Sequence, residues 1–502
     1  MNLNLGTLGP KFVTLRPQQE DVLHRLLKSP HRIDVAALPT GTGKSLLGMA
    51  YAHLLEVPTV ILTCTKGLQD QYQRDFTIHQ DVRGMASYPC RIYDGRVMCD
   101  AGPCLDDEPC IWKQAGCAYY DRVKRAGMAP IVVTNYAFWF THRFDHALGY
   151  RELVILDEAH ELDSELAKAA GAEFSEREVG FEDGMGEWSF EDWREWAGEK
   201  LALTEAVLDR PSTTPFEKRK LRRLKGRLER LVAAQAEWVW DYIGDREVRK
   251  VRFEPLDLSP YVESHLFRGA SKGVLMSATV RPDQVSDLGI TDFGFMESDS
   301  PFPVERRPIY WVQTGVRLRW DTSERNLRFW ADKLDQVIDS RLGYKGIIHT
   351  VSYQRARFLE QHSRHSQHFI LHDPRTAQAT VQRFKEMKAP AILVSPVVHT
   401  GYDFPYDAAR WQIIGKVPYP DTRSGIAGAR QEIDDKWNKK FAARTLVQMA
   451  GRVVRSEDDM GETIILDDNV AHVVHRYKLL FPRWWREAFR PTKVVPKMGE
   501  GA

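Results

Sequence analysis

Ala37-Leu38-Pro39-Thr40-Gly41-Thr42-Gly43-Lys44-Ser45 stands between a short apolar run, Ile33–Ala37, and a segment, Ser45–Leu55, that reads as a helix. A buried strand, a glycine-rich turn and a helix start, in that order, make a phosphate cradle. Gly41 and Gly43 let the backbone N–H groups of Thr40, Thr42 and their neighbours wrap phosphate oxygens, and the helix N-terminus adds partial positive charge. In that geometry Lys44 reaches the β- and γ-phosphates of ATP, and Ser45 offers its hydroxyl to Mg2+. Leu38 stands where such loops usually carry their first glycine. The flanking strand and helix carry the assignment, against a plain glycine-rich turn with a solvated lysine.

Working outward, Val60–Cys64, Ile131–Thr134 and Leu153–Leu156 are further short apolar runs separated by amphipathic segments. That is a βαβ pattern, hence a parallel sheet in an α/β fold. The run Val154-Ile155-Leu156 ends in Asp157-Glu158-Ala159-His160. Asp157 is placed to complete the Mg2+ shell and Glu158 to polarise an attacking water. An acidic pair after a strand is otherwise a simple helix N-terminal pair favoured by the dipole; the loop upstream gives it chemistry. The α/β pattern resumes at Gly273–Val280 and continues through Gly346–Thr350, Ile392–Ser395, Trp411–Gly415 and Glu462–Leu466, which predicts a second α/β domain. There Gln448-Met449-Ala450-Gly451-Arg452-Val453-Val454-Arg455 sets two arginines three apart on one helical face. Presented by a second domain, Arg452 and Arg455 can neutralise charge developing on the γ-phosphate.

Two stretches interrupt this pattern. Five of the six cysteines, Cys90, Cys99, Cys104, Cys110 and Cys117, fall in a segment rich in Gly, Pro and Asp, including Asp106, Asp107 and Pro109. Such a segment is loop-rich and needs a staple to fold. Clustered thiols of this kind read first as metal binding rather than as a disulfide scaffold. Cys64 lies in an apolar run and reads as a small core residue. The second interruption runs from Glu165 to Arg268, where strands give way to long charged helical segments. Leu221, Leu224, Leu228 and Leu231 share one face there, among many Lys and Arg. The basic run Lys218–Arg230 suits a DNA path or, equally, a solvated helix face. Phe138-Trp139-Phe140 divides evenly between base stacking and core, and Trp484-Trp485 reads as C-terminal packing. From Arg490 to Ala502 a frayed tail is expected.

A chain of 502 residues holds several domains of ordinary size. Its net charge of +1 excludes an overall basic field, so any nucleic-acid surface must be a local channel. Met1–Lys11 lacks the charged start and apolar core of a signal peptide, and no apolar run is long enough for a bilayer. A cytoplasmic protein, in a nucleoid or a host-cell cytosol, is expected.

The ordered motifs resemble those of superfamily 2 helicases of the XPD/DinG type, over nearly the whole chain. Leu15-Arg16-Pro17-Gln18-Gln19 is similar to the adenine-side Q-like motif, and Thr63–Gln71 to motif Ia. Ser277-Ala278-Thr279 resembles motif III, and Ser300-Pro301-Phe302 the entry to the second motor domain. Gly401-Tyr402-Asp403-Phe404-Pro405 resembles motif V, although His399-Thr400 replaces the aromatic and glutamate of many relatives; Gln448–Arg455 resembles motif VI. Ser87-Tyr88-Pro89-Cys90 and Gly116-Cys117-Ala118-Tyr119-Tyr120 resemble the first and last cluster-ligand segments.

The resemblance implies two RecA-like motor domains with an iron–sulfur insertion and a helical arch insertion that is short for the family. On this chain the motor would comprise 1–85, 121–164 and 269–299 for the first domain and 300–490 for the second. The cluster module would occupy 86–120, the arch 165–268, and a tail 491–502. It implies a [4Fe–4S] cluster on Cys90, Cys104, Cys110 and Cys117, with Cys99 the alternate to Cys104; four-cysteine zinc is the rival. Gln19, Thr40–Ser45 and Asp403 would bind nucleotide. Lys66, Gln69, Thr350, Ser352 and Tyr353 would touch DNA. The implied activity is ATP-driven 5′→3′ translocation on single-stranded DNA and unwinding of tailed or forked duplexes, by a monomer. The alternatives are a nucleic-acid-stimulated ATPase that does not unwind, and a zinc-binding P-loop accessory protein.

Overall fold

The computed structural model describes residues 4–105, 110–114, 116–142, 147–181, 185–234, 238–243, 249–398 and 402–498. Gly401, with His399 and Thr400 before it, and Asp106, Asp107 and Pro109 lie outside the described residues.

Two seven-stranded parallel sheets carry the chain. In the first, the spatial order is Gly294–Glu297, Ile33–Ala37, Lys272–Ser277, Leu153–Asp157, Thr59–Thr63, Ile131–Asn135 and Gln80–Asp81. These strands are apolar on both faces because helices cover both, so the runs are continuous rather than alternating. The second sheet runs Phe369–Ile370, Ile392–Ser395, Gly346–His349, Trp411–Ile414, Glu462–Ile465, Ile309–Val312 and Phe489–Thr492. Ligand sites in open parallel sheets lie beyond the C-terminal strand ends. Here the strands ending at Ala37, Ser277 and Asp157 are immediate neighbours, paired Ala37 to Ser277 and Asp157 to Met276. The phosphate loop, Ser277-Ala278-Thr279 and the Asp157–His160 box are thereby set side by side.

The structure corrects the sequence reading in two places and decides an open one. The second insertion is not purely helical. Its helices Phe190–Leu208 and Pro215–Val232 pack on a three-stranded antiparallel sheet of Ala172–Ser175, Lys250–Pro255 and Trp238–Ile243. Phe174, Trp193, Trp196, Leu228, Leu231 and Phe253 form its core. One strand is only four residues long and the other two carry charges within them, which hid their period-2 alternation. The tail does not fray from Arg490: Phe489–Thr492 pairs in parallel with Ile309–Val312, and the Pro496 carbonyl accepts a hydrogen bond from the buried Arg341. Phe138, Trp139 and Phe140 are core residues, and Trp139 donates its indole N–H to the Leu266 carbonyl. Trp484 and Trp485 pack as expected.

Candidate active site

Gly41 and Gly43 both adopt positive φ, +77° and +81°, a conformation an L side chain resists. Space forbids a side chain as well: a Cβ on Gly41 would lie 2.7 Å from the Phe302 ring, and one on Gly43 would lie 2.4 Å from Gln19 Nε2. Thr40, Thr42 and Lys44 are buried. Gln19 braces the loop. Its Nε2 donates to the Thr42 carbonyl at 2.7 Å and its Oε1 accepts from the Arg16 N–H at 2.8 Å. Arg16 in turn donates to the Gly41 carbonyl at 3.0 Å and pairs with Glu457 of the second motor domain at 3.3 Å.

The acidic pair faces the loop. Ser45 and Tyr72 donate to Asp157 Oδ2 at 3.2 and 2.9 Å. Lys44 Nζ stands 3.9 Å from Glu158 Oε1. Burial, reinforced by the Glu158 charge, pushes the Asp157 carboxyl up to about 6. Burial also opposes the Glu158 charge, but Lys44 and His160 outweigh it and hold that carboxylate below the usual range. Glu158 sits at φ +55°, a strained position for a non-glycine residue. Its side chain meets His160 Nδ1 at 3.2 Å, while His160 Nε2 lies 3.2 Å from Glu161. Burial disfavours the imidazolium, yet these two carboxylates raise its pKa.

A continuous set of contacts leaves this pair and crosses to the second motor domain. His160 Nδ1 and Ser277 Oγ lie 2.8 Å apart, and Ser277 Oγ is 3.4 Å from Thr279 Oγ1. Gln448 Nε2 donates to Thr279 Oγ1 at 3.3 Å, and Gln448 Oε1 accepts from Arg452 at 3.4 Å. Arg452 reaches Asp403 at 3.3 Å, and Asp403 also pairs with Arg455. Asp403 is therefore an anchor for the two arginines. Helix Trp437–Ala450 adds Arg444, which donates to the His160 carbonyl at 2.7 Å. The fit is close: a Cβ on Gly451 would lie 2.2 Å from Thr40 Oγ1.

The residues expected to touch DNA divide. Lys66 is exposed at the start of helix Lys66–Asp75. Gln69 is not a surface contact. It is fully buried, donates to Asp81 at 2.7 Å and to the Val82 carbonyl at 2.9 Å, and accepts from Asn135 at 3.1 Å. Ser352 caps helix Tyr353–His362 by accepting from the Arg355 N–H. Just before it, Val351 holds φ +64°, an outlier for a β-branched residue. The Thr350 hydroxyl and the Tyr353 phenol are buried without a hydrogen-bond partner among the described residues.

Sequence reasoning missed Tyr72, Arg444 and Asp459. Tyr72 lies three residues past Gln69 on the same buried helix face, a spacing that was readable. Asp459 is fully buried, accepts from the Arg455 and Tyr406 N–H groups and pairs with Arg410. No local pattern marks it.

In the cysteine segment all five thiols are free. Cys90, Cys99 and Cys117 are buried, Cys104 and Cys110 partly so. A Cβ on Gly102 would lie 3.3 Å from Cys90 Sγ and 3.8 Å from Cys104 Sγ. Burial first, then Cys117, Cys90 and Cys104, push the Cys99 thiol up to about 12. Cys104 is raised by burial and by Cys110, Cys117 and Cys90, against a hydrogen bond from Tyr120. Cys99 and Cys104 thus each lie near Cys90 and Cys117, and Cys110 lies near Cys104, a gathering of thiols whose chemistry suits thiolate ligation of a metal centre. Among the described residues no three His, Cys, Asp or Glu side chains close on one point as ligands of a single ion.

Comparison with known proteins agrees with this geometry. Residues 12–181 match the model of the type III restriction enzyme res subunit, and residues 343–488 match the helicase C-terminal domain. A probable ATP-dependent helicase of Methanocaldococcus jannaschii is 24% identical over 271 residues, 47% of this chain and 40% of that protein. The chain thus spans under half the length of this curated relative. An XPD helicase structure superimposes with a TM-score of 0.63 at 16% identity, over 96% of this chain and 100% of that one. Xpd4 of S. tokodaii gives 0.59 at 13% identity, over 95% and 100%. In its two parallel-sheet domains the chain has the fold of these XPD structures.

Proposed function

We propose that this XPD/DinG-like chain is an ATP-dependent DNA helicase that moves 5′→3′ on single-stranded DNA and opens tailed duplexes. The observation that carries the proposal is the unbroken path from Glu158 through His160, Ser277, Thr279 and Gln448 to Arg452, Asp403 and Arg455. It joins the water-activating carboxylate of one motor to the charge-neutralising arginines of the other, so turnover and domain closure are one event. Lys44 and the loop N–H groups would hold the β- and γ-phosphates, and Glu158, kept ionised by Lys44 and His160, would orient and deprotonate the water. Mg2+ would be held by Ser45 and Asp157 and would supply positive charge to the phosphates. When hydrolysis removes the γ-phosphate, Arg455 loses its partner, the domains part, and the strand held near Lys66, Ser352 and Tyr353 advances.

Four of the five thiols would hold a [4Fe–4S] cluster, which would staple residues 86–120 into a rigid wedge. Cys90, Cys110 and Cys117 belong to the set, with Cys104 as the fourth member and Cys99 as its alternate. The test is twofold: iron and labile sulfide content of the purified protein, and ATP turnover with and without single-stranded DNA. Brown, iron-containing protein with DNA-stimulated turnover is expected, and Gln448→Ala should lower that stimulation. Colourless protein with bound zinc would leave only the accessory-protein reading.

A further inference from the structure

Trp320 is 80% exposed, the second most exposed large apolar side chain among the described residues. A single exposed apolar side chain is ordinary on a protein surface; what sets this indole apart is that its turn is ordered and a guanidinium stands at its ring. The turn that presents it is held firmly. Leu318 on one side is buried, its N–H donates to Asp467 at 3.1 Å, and its carbonyl accepts from Asn469 at 3.1 Å. The Arg319 N–H donates to Thr322 Oγ1 at 2.6 Å. The Arg319 carbonyl accepts from Arg355 at 2.8 Å.

Arg355 ties this turn to the site already described. It lies on the helix capped by Ser352, beside Tyr353 and the strained Val351. Its Nε is buried and lacks a hydrogen-bond partner among the described residues. Lys416 lies close enough for Arg355 to disfavour its charge, after burial. Arg423 sets its guanidinium 5.8 Å from the Trp320 ring centroid while pairing with Asp421 at 2.7 Å. Asp421 and Asp321 offset part of the positive charge, so the patch is not a general phosphate trap. It is an aromatic face with cations at its edge.

We propose that Trp320 is a base-stacking post of the second motor domain, taking one unpaired base of single-stranded nucleic acid on its open indole face. Arg423, at the edge of the ring, would meet an adjoining backbone phosphate. This rests on the reading that the chain moves along a single strand. Stacking tolerates any base, because every base has a π-face, and it suits a motor that must step without regard to sequence.

Binding of fluorescent single-stranded oligonucleotides to the full chain tests it. Trp320→Ala should weaken binding roughly 10-fold or more, and Trp320→Phe should restore most of the loss. The salt dependence of affinity should be unchanged in Trp320→Ala, since no phosphate contact is removed. On a strand carrying abasic sites throughout, wild type and Trp320→Ala should bind alike. Thermal stability and DNA-free ATP turnover should not move. If wild type binds single strands and Trp320→Ala binds them equally well, the stacking post is wrong and the motor reading stands. If wild type binds no single strand at all, both fail.

Discussion

Gly451→Ala is expected to block closure of the two motor domains without unfolding either. Gly451 has φ −84° and ψ 11°, which any L residue adopts, so the backbone accepts alanine. The obstacle is space: the added Cβ would lie 2.2 Å from Thr40 Oγ1, 2.6 Å from its Cγ2 and 2.7 Å from its Cβ. Thr40 is buried and β-branched, so it cannot swing aside freely. Reaching ordinary contact requires the domains to part by roughly 1 Å or more. Arg455, four residues on, withdraws by a similar distance from where the γ-phosphate would sit. A displacement of about 1 Å at a reacting centre costs on the order of 100-fold in rate. Steady-state ATP turnover at saturating single-stranded DNA, measured beside thermal unfolding, should show a kcat about 100-fold lower with an unchanged melting temperature. Thr40→Ala removes the two nearest atoms, so the double variant should recover part of the loss. A normal kcat in Gly451→Ala would refute the closed geometry on which the account depends.

Three further outcomes are expected. Lys44→Ala should abolish nucleotide turnover, and Glu158→Gln should retain ATP binding, read by a fluorescent analogue, while stopping hydrolysis. Serine variants of Cys90, Cys110 and Cys117 should each lose iron and then unwinding, with some ATP turnover surviving because the phosphate loop lies outside the insert; Cys104→Ser and Cys99→Ser, compared by iron content, decide the fourth ligand. Gln69→Ala should lower the melting temperature rather than affinity for DNA, because it removes three buried hydrogen bonds, to Asp81, the Val82 carbonyl and Asn135, at roughly 1 kcal/mol each.

Sequence alone led to both parallel sheets, since every strand that carries a motif is a short apolar run ending in that motif. Ala37, Ser277 and Asp157 illustrate this: each closes a strand, and the topology sets the three strands side by side. What sequence did not yield is contact between distant segments. Gln19, Gln69 and Asp403 carry side chains suited to nucleotide or DNA, and the fold bonds them to the Thr42 carbonyl, to Asp81 and to Arg452. A polar side chain within a motif can serve a ligand or the protein's own backbone, and only burial separates the two. Asp459 and Arg444 lie inside ordinary charged helices and turns, so nothing local marked them. The sheet of the second insertion was hidden because its strands are short or charged.

Strand displacement by the purified chain tests the central claim most directly. With ATP and Mg2+, a duplex carrying a 5′ single-stranded tail should be opened, a 3′-tailed duplex should remain closed, and Glu158→Gln should open neither. Opening of the 3′-tailed duplex alone would reverse the assigned direction, and ATP turnover without displacement of either strand would contradict the helicase reading in favour of a nucleic-acid-stimulated ATPase.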